Sequence, residues 1–309
     1  MKPHVLVLVK RTSFQTFVLD AKDDRTLRLM RQKNPAVARL RSSHESHLAT
    51  LTEVGEALDK LGTSMTVLPA TPPKSAGPKA DDKLFREATL VVTVGGDGTL
   101  LAASHRLGPN TPLLGINSAP ESSVGFFCAG RRGSAHRTLR AALEDKLLRV
   151  RLSRMEVELA GAIVHRRVLN DALFCHASPA ATSRYILSLN GSKKGRPAKA
   201  QADEQRSSGL WIGPAAGSTA AQRSAGGRIL PLRSRALQFV VREPYMRHGR
   251  RARLVRGLIR EGAELDIVCK MRDARLFLDG DQNVVFVGLG DVVRFRRSSE
   301  HLTVLGLRR

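Results

Sequence analysis

The sequence predicts an α/β protein with two domains, an N-terminal Rossmann-like α/β domain over residues 1–130 and a β-rich, β-sandwich-like domain over residues 131–309. Two patterns support this prediction. In the first part, apolar runs alternate with helix-spaced leucines, which is typical of a parallel sheet with right-handed crossovers. After about residue 147, apolar residues recur at every second position, which is typical of strands. We also expect the last residues of the chain to pack back on the first domain.

The elements of the first domain follow from local patterns. Short apolar runs predict four strands: His4–Val9, Met65–Leu68, Leu90–Val94 and Pro112–Ile116. Leucines at helical spacing predict a helix that ends at Gly62: Leu48, Leu51, Leu58 and Leu61. A further helix is predicted after Val94 and runs through His105. Proline, glycine and serine between residues 71 and 78 indicate a loop.

The second domain shows the alternation expected of strands that are buried on one face. The alternating apolar residues fall in four groups: Met155, Val157 and Leu159; Tyr185, Leu187 and Leu189; Leu276 and Leu278; Val293 and Phe295. Between Asn190 and Ser208 the chain is polar, with few apolar residues. This segment is therefore predicted to be a mobile hairpin loop.

The charge balance restricts the class of partner. Lysine and arginine outnumber aspartate and glutamate by 51 to 28, and the net charge of +23 attracts polyanions. The basic residues are densest in an arginine-rich segment, residues 242–256. Aromatic residues make up only 4% of the chain, however, and single-stranded nucleic acids stack their bases on aromatic side chains. Nucleotide binding is therefore favoured over nucleic-acid binding, and the role of the arginine-rich segment stays open.

Cysteine usage and the first residues indicate a cytoplasmic protein with no membrane partner. No apolar stretch approaches the roughly 20 residues that span a bilayer. The apolar start of the chain ends at Lys10 without a signal-peptide cleavage site. Three widely separated cysteines suit a reducing compartment, where they would be core thiols: Cys128, Cys175 and Cys269.

Two histidines on one helix face are candidate metal ligands. His44 and His47 lie near Glu45, but this spacing fits no common zinc motif. A solvated polar face is the favoured interpretation. We therefore predict no tightly bound structural metal.

The most specific local motif is Gly95-Gly96-Asp97-Gly98-Thr99, directly after the apolar run that ends at Val94. Its glycines let the backbone turn sharply and approach a ligand, and the threonine is a preferred N-cap residue. The amides at the start of the following helix attract an anion. The aspartate can hold a metal or accept a proton from a hydroxyl. The motif therefore predicts a site that binds phosphate and catalyses a reaction there.

Simpler and better-known alternatives fit this motif less well. A plain turn explains one Asp-Gly pair but not three glycines around one acid. No Walker pattern occurs in the chain, and the dinucleotide fingerprint fails because Leu101 stands where its third glycine is required.

Four motifs follow one another along nearly all of the chain. They are Gly95-Gly96-Asp97-Gly98-Thr99; Leu169-Asn170-Asp171; Gly217-Ser218-Thr219-Ala220, followed by Ser224-Ala225-Gly226-Gly227; and Leu278-Asp279-Gly280. In order and spacing they resemble the motifs of the NAD kinase family, which has Asn-Glu in place of Asn170-Asp171. Diacylglycerol, sphingosine and phosphofructokinase relatives share the first motif, and the other three separate the chain from those kinases. The segments 115–121 and 206–210 are similar to those of the mitochondrial-type subgroup.

The resemblance implies transfer of the γ-phosphoryl group of ATP to the 2′-hydroxyl of the adenosine ribose of NAD, which gives NADP. It implies Mg²⁺ or a similar ion, an active site between the two domains, and a homo-oligomer, either a dimer or a tetramer. Asp97 would be the catalytic acid/base. The remaining residues that the resemblance assigns are phosphate contacts at Gly95, Gly96, Gly98 and Thr99, a nucleotide contact at Asn117, and dinucleotide contacts at Asn170, Asp171, Ser218 and Thr219.

Structural alternatives stay open for several of these residues. Ser218 and Thr219 can equally cap a helix, and Asn170-Asp171 can be an ordinary turn at the end of a strand. For Asp279-Gly280 a hairpin turn is the favoured interpretation.

Two departures from the family pattern leave the substrate open. Asp171 is one methylene shorter than the family's usual Glu, and Ala221 stands where many members have a Tyr. NAD or NADH as acceptor, ATP or polyphosphate as donor, and the oligomer size are therefore not decided. The alternative functions are a kinase with the same signature acting on a lipid or sugar, and a non-catalytic protein that binds nucleotides or nucleic acid.

Overall fold

The structure is a computed structural model that describes residues 3–71, 82–121, 123–190, 192–193, 196–197, 201–245 and 252–307. Its contacts group the chain into two compact units, Met1–Val150 with Leu302–Arg309, and Arg151–His301. The domain boundary at residue 130 stays a prediction. Residues 72–78 of the predicted loop and 246–251 of the arginine-rich segment lie outside the described residues.

The first unit is built on a sheet whose strands lie in the order β2-β1-β3-β4-β21-β6, with β5 also paired to β4. The strands are β1 (His4–Val9), β2 (Ser64–Pro69), β3 (Leu90–Gly95), β4 (Leu113–Asn117), β5 (Cys128–Arg131), β6 (Arg149–Leu152) and β21 (Leu302–Leu305). The pairs β1 with β2, β1 with β3 and β3 with β4 are parallel, as predicted. All four predicted strands are confirmed.

Helices pack around this sheet. They are α1 (Asp24–Arg31), α2 (Leu40–Lys60), α3 (Asp82–Glu87), α4 (Asp97–Ser104) and α5 (Ala135–Leu143), with a π-helix at Gln15–Asp20 and a 3-10 turn at Pro35–Val37. The apolar faces of α2, α4 and α5 cover the buried strands of the sheet. Helix α2 places Val54 and Leu58 in one core with Val92 of β3. The helices predicted up to Gly62 and through His105 are confirmed as α2 and α4, whereas α1, α3 and α5 were not predicted.

The solvated polar face predicted for α2 is wrong. His44 is 9% exposed and His47 is 3% exposed. The Nδ1 atom of His44 lies 2.8 Å from Thr12 Oγ1, and that of His47 lies 3.0 Å from Ser118 Oγ. Burial lowers the pKa of His47 to about 4, so this side chain is neutral at physiological pH. Histidines of this helix pack inward because hydroxyl groups at the strand ends supply their hydrogen-bond partners.

The second unit contains two six-stranded sheets, ordered β13-β10-β17-β20-β7-β8 and β16-β15-β14-β9-β18-β19. The strands are β7 (Met155–Leu159), β8 (Ala162–Val168), β9 (Ala172–His176), β10 (Ser183–Asn190), β11 (Ser192–Lys193), β12 (Arg196–Pro197), β13 (Gln201–Ser207), β14 (Gly209–Gly213), β15 (Leu237–Arg242), β16 (Arg256–Ile259), β17 (Glu264–Cys269), β18 (Ala274–Leu278), β19 (Asn283–Val287) and β20 (Val292–Arg297). A 3-10 helix at Ala215–Thr219 precedes α6 (Ala221–Ser224).

The two sheets of the second unit share one apolar core. Alternating residues of both sheets fill it, and Phe174 of β9 packs edge-on against Tyr185 of β10 with ring centroids 5.4 Å apart. Such a shared core between antiparallel sheets is the packing of a β-sandwich. The predicted fold class, an α/β domain followed by a β-rich domain, is confirmed.

The loop predicted between Asn190 and Ser208 is only partly correct. Strand β13 pairs antiparallel with β10 over its whole length, from Gln201 to Ser207. Its inward residues are polar, and Gln205 and Ser207 are almost completely buried. A search for alternating apolar residues therefore could not detect this strand. Residues 191, 194, 195 and 198–200 lie outside the described part of the chain.

Within the described residues, no helix is both long and apolar enough to cross a bilayer.

All three cysteines are free; Cys269 is buried, whereas Cys128 and Cys175 are partly buried. Burial raises the pKa of Cys128 to about 12, which keeps this thiol protonated.

Candidate functional site

The carboxylate of Asp97 is held by two consecutive backbone amides. Helix α4 begins at Asp97, and the side chain reaches the chain just before β5. Its Oδ2 accepts a hydrogen bond from the N–H of Phe126 at 2.9 Å, and its Oδ1 accepts one from Phe127 at 2.8 Å. A carboxylate offers about four acceptor positions, so each oxygen keeps capacity for a further donor or a cation. The two amides therefore orient the side chain and leave acceptor positions on both of its oxygens available.

Two of the three glycines around Asp97 lie close to neighbouring side chains. A Cβ atom on Gly95 would lie 2.1 Å from Thr99 Oγ1, and one on Gly96 would lie 2.4 Å from Ser123 Oγ. A Cβ atom on Gly98 would meet nothing within 4 Å. Gly95 and Gly96 therefore let the junction pack tightly, whereas Gly98 leaves open space beside the first turn of α4.

The prediction that Thr99 is the N-cap residue is wrong. Gly96, in an extended conformation, is the N-cap residue, and its carbonyl accepts hydrogen bonds from the amides of Thr99 and Leu100. Thr99 lies inside the first turn and is 8% exposed. The helix begins earlier than predicted because the extended glycine already supplies the turn out of β3.

Asn117 shapes the loop that carries the amide partners of Asp97. Its Nδ2 donates to the carbonyl of Ser123 at 3.0 Å, and its Oδ1 accepts from the amide of Ala119 at 3.1 Å. The amide of Ser118 donates to the carbonyl of Gly95 at 3.2 Å, which ties the ends of β4 and β3 together. Asn117 therefore lies at the same edge of the sheet as the glycine motif.

In the second unit, Asp279 organises the turn at Leu169-Asn170-Asp171. Its Oδ2 accepts from the amide of Leu169 at 2.7 Å, and its Oδ1 accepts from the amides of Asn170 and Asp171 at 2.7 and 2.9 Å. The amide of Asp279 donates in return to the carbonyl of Asp171. One carboxylate thus binds three consecutive amides.

Asp279 also forms the hairpin turn that was the favoured interpretation of Asp279-Gly280. Strands β18 and β19 pair up to Leu278 and Asn283, and Asp279 has a positive φ of 52° at the start of the connecting turn. Its role in positioning residues 169–171 was missed by the sequence analysis. The available signal was the place of Asp279-Gly280 in the order of motifs.

The Gly-Ser-Thr-Ala motif packs directly on the same turn. A Cβ atom on Gly217 would lie 1.6 Å from the carbonyl oxygen of Asn170, and one on Gly213 would lie 2.4 Å from it. Because the obstructing atom is backbone, it cannot move aside as a flexible side chain can. Gly217 is therefore required for the 3-10 helix to support the Asn170-Asp171 turn.

Ser218 and Thr219 do not cap a helix. The hydroxyl of Ser218 donates to the carbonyl of Ala215 at 2.7 Å and accepts from the amide of Leu230 at 2.9 Å. Neither the 3-10 helix nor α6 has a side-chain cap hydrogen bond. Ser218 is completely buried and joins two backbone segments, whereas Thr219 is partly exposed.

Asp171 is an acid in an unfavourable environment for its charge. It is 7% exposed, and Asn170 Nδ2 donates to its Oδ2 at 2.8 Å. Burial raises the pKa of Asp171 to about 7, and the nearby charge of Asp279 contributes to the same shift. Near pH 7, therefore, Asp171 exists in both protonation states.

Arg154 is a fully buried cation in the same unit, and sequence patterns did not single it out. Its Nε donates to the carbonyl of Glu300 at 3.2 Å, and its Nη2 donates to that of His301 at 2.8 Å. Burial lowers the pKa of Arg154 to about 10, and the charges of Glu300 and Asp279 oppose this shift. An electrostatic attraction therefore links Arg154 to Asp279, the residue that holds the turn.

The stability of the protein should reveal the titration of Asp171. The pKa in the folded state lies above the unfolded value of 3.8, so the folded state binds the proton more tightly. This contribution to stability is complete below pH 4 and is lost as the pH rises through about 7. Relative to Asp171→Asn, the free energy of unfolding of the wild type should fall by up to about 1.4 kcal/mol per pH unit over this window. Urea unfolding of both proteins between pH 4 and 8 measures it, and parallel curves would contradict the prediction.

The structure gathers the predicted residues into two groups, one in each unit. Gly95, Gly96, Asp97, Gly98, Thr99 and Asn117 lie together at the sheet edge of the first unit, and Asn170, Asp171, Ser218 and Thr219 lie together in the second. Within the described residues, no group of three His, Cys, Asp or Glu side chains is arranged to hold a metal ion.

Comparisons with known proteins agree with the resemblance stated above. Residues 30–146 match the family model of the ATP-NAD kinase N-terminal domain. A probable NADH kinase of Oryza sativa subsp. japonica is 33% identical over 236 residues, which cover 72% of each chain. An NAD kinase of Methanocorpusculum labreanum is 31% identical over 214 residues, which cover 69% of this chain and 72% of the relative.

Two solved structures share the fold. An NAD kinase from Archaeoglobus fulgidus in complex with ATP superposes with a TM-score of 0.65 and 18% identity, covering 97% of this chain and 92% of that one. Yeast NADH kinase complexed with NADH gives a TM-score of 0.70 and 15% identity, covering 98% and 83%. The Oryza relative fits the predicted mitochondrial-type subgroup. The sequence relatives and the shared architecture together show that the chain belongs to the NAD kinase family.

Proposed function

We propose that the protein is an NAD kinase that transfers the γ-phosphoryl group of ATP to the 2′-hydroxyl of the adenosine ribose of NAD. The observation that carries this proposal is the carboxylate of Asp97, oriented by two backbone amides beside the open space at Gly98. The similar proteins are NAD and NADH kinases, which favours this acceptor over a lipid or a sugar.

We assign the contacts with the phosphates of ATP to the junction between β3 and α4. Phosphoryl transfer depends mainly on positioning and on neutralising charge. The first amides of α4, those of Asp97 and Gly98, could donate to a phosphate, and Gly98 leaves room for it to approach. Gly95, Gly96 and Thr99 shape this junction. Asp97 would accept the proton of the attacking 2′-hydroxyl as the new O–P bond forms. The bond between the γ-phosphorus and the β–γ bridging oxygen would break in the same transfer, and ADP would leave with that oxygen.

On the side of the acceptor, we assign ribose binding to Asn170 and Asp171. Both belong to the turn that Asp279 holds through three amides. The carboxylate of Asp171 can accept hydrogen bonds from ribose hydroxyls in its ionised form. The hydroxyl of Ser218 already has two backbone partners. We therefore assign the substrate contact of this motif to Thr219 and to the backbone.

A divalent cation such as Mg²⁺ is part of this proposal, and the residues present fit it. Mg²⁺ is usually held by one or two carboxylates together with water and substrate phosphates. Asp97 supplies an oxygen ligand with acceptor capacity to spare. The ion would neutralise charge on the transferred phosphoryl group. A homo-oligomer and a cytoplasmic location stay predictions.

An assay of product formation tests the proposal directly. The purified protein is incubated with ATP and Mg²⁺ and with either NAD or NADH, and the phosphorylated product of each reaction is quantified by chromatography. We expect NADP or NADPH to accumulate. If neither product forms with either acceptor, the proposed function is wrong. Replacing ATP by polyphosphate in parallel reactions identifies the donor.

A further inference from the structure

A cavity of about 670 Å³ lies in the first unit, beside the loop that carries the amide partners of Asp97. Its walls come from the loop after β4, from β5 and from the start of α5, and include Asn117, Gly125, Phe126, Arg131, Arg132 and Arg137. Binding sites for small molecules commonly have volumes of this order. The cavity is large enough to hold part of a nucleotide.

Three arginines give this cavity its charge. Arg131, Arg132 and Arg137 are all exposed, and none forms an ion pair with any residue that the structure describes. Some other arginines of the protein have carboxylate partners: Arg294, for example, binds Asp266 at 2.8 Å, and Arg296 binds Glu156 at 2.7 Å. The cavity therefore presents guanidinium groups whose donors are available to a ligand.

The carboxylate of Glu53, which contacts the segment between these arginines, is engaged by backbone amides. Glu53 of α2 accepts hydrogen bonds from the amides of Gly133 at 2.7 Å and Ala135 at 2.8 Å. It thereby caps the start of α5 and occupies two amides that could otherwise donate to an anion. The attraction for an anion comes from the arginine side chains, which bind phosphate oxygens in a bidentate manner.

The cavity is coupled to the site of Asp97 through shared residues. Phe126 lines the cavity, and its amide holds Asp97. The amide of Arg132 donates to the carbonyl of Asn117 at 3.3 Å, which ties the basic segment to the end of β4. A ligand in the cavity therefore lies next to the loop that orients the carboxylate.

We propose that Arg131, Arg132 and Arg137 bind the condensed-phosphate chain of the phosphoryl donor. This inference rests on the proposed function. A chain of linked phosphates carries several negative charges in a row, and three unpaired guanidinium groups complement it. ATP and inorganic polyphosphate share this chemistry, so the test compares both.

Binding of inorganic tripolyphosphate, measured by calorimetry, tests the site without any catalysis. We expect Arg132→Gln and Arg137→Gln each to weaken binding by about tenfold. Arg140→Gln is the matched control, because Arg140 is exposed on α5 one turn after Arg137 and does not line the cavity. Unchanged binding in the first two variants would overturn the proposal. Equal weakening by Arg140→Gln would also overturn it, because the effect would then arise from the overall charge.

Steady-state kinetics of the same variants identify the donor. We expect the KM for the donor to rise by about tenfold while the KM for NAD changes less than about twofold. A rise for ATP assigns the site to the triphosphate, and a rise for polyphosphate assigns it to the polymer. If the wild type binds tripolyphosphate through these arginines but forms no product, the proposed function fails and the anion site stands.

Discussion

Asp97→Ala should lower kcat by about 10²–10⁴-fold, the usual contribution of general acid/base catalysis. The variant has no group at this position to accept the proton of the 2′-hydroxyl. It also loses the two hydrogen bonds from the amides of Phe126 and Phe127, at 2.9 and 2.8 Å. We therefore expect a loss of stability of about 2–4 kcal/mol in addition. Initial rates at saturating NAD and ATP, together with urea unfolding, measure the two effects.

Asp203→Ala separates the chemical role of Asp97 from its structural role. Asp203 in the second unit also accepts hydrogen bonds from two consecutive amides, those of Arg253 at 2.5 Å and Leu254 at 3.0 Å. This control should lose a similar amount of stability and keep most of its kcat. If Asp97→Ala retained wild-type kcat, or if Asp203→Ala lost as much kcat, the assignment of Asp97 as the catalytic residue would be wrong.

Asp279→Ala should have the second largest effect, a rise in the KM for NAD of tenfold or more. The change leaves three consecutive amides, those of Leu169, Asn170 and Asp171, without their acceptor. It also removes a charge that balances buried Arg154. We expect a loss of stability of about 3–5 kcal/mol. Steady-state kinetics and urea unfolding measure both quantities.

Asp279→Asn and Asp281→Ala make this prediction specific. Asparagine keeps one acceptor oxygen and tolerates the positive φ at this position, so Asp279→Asn should give an intermediate effect. Asp281 is exposed in the same hairpin turn, and its replacement by alanine should leave the KM unchanged. Loss of the charge of Asp279 should also lower the pKa of Asp171. An equal rise in KM for Asp281→Ala would show that the turn, rather than the carboxylate, is responsible.

Local patterns predicted those parts of the fold that depend on neighbouring residues. The buried strand Leu90–Gly95 is apolar except for Thr93, and the glycines at its end indicate the turn into α4. The same approach failed for β13, whose inward residues Gln205 and Ser207 are polar. It also failed for His44 and His47, because their buried partners lie 32 and 71 residues away in the chain.

The candidate site, like the fold, was predicted from the sequence only in part. The four motifs, their order and the acid at position 97 are properties of the sequence, and they were sufficient to identify the family. Only the tertiary structure decided what holds these residues: Asp97 binds an amide 29 residues away, and Asp279 binds the amide of Asn170 at a separation of 109 residues. A hydrogen bond requires donor and acceptor within about 3 Å. Partners so distant along the chain meet only when the complete fold brings their strands together, and no local pattern encodes that meeting.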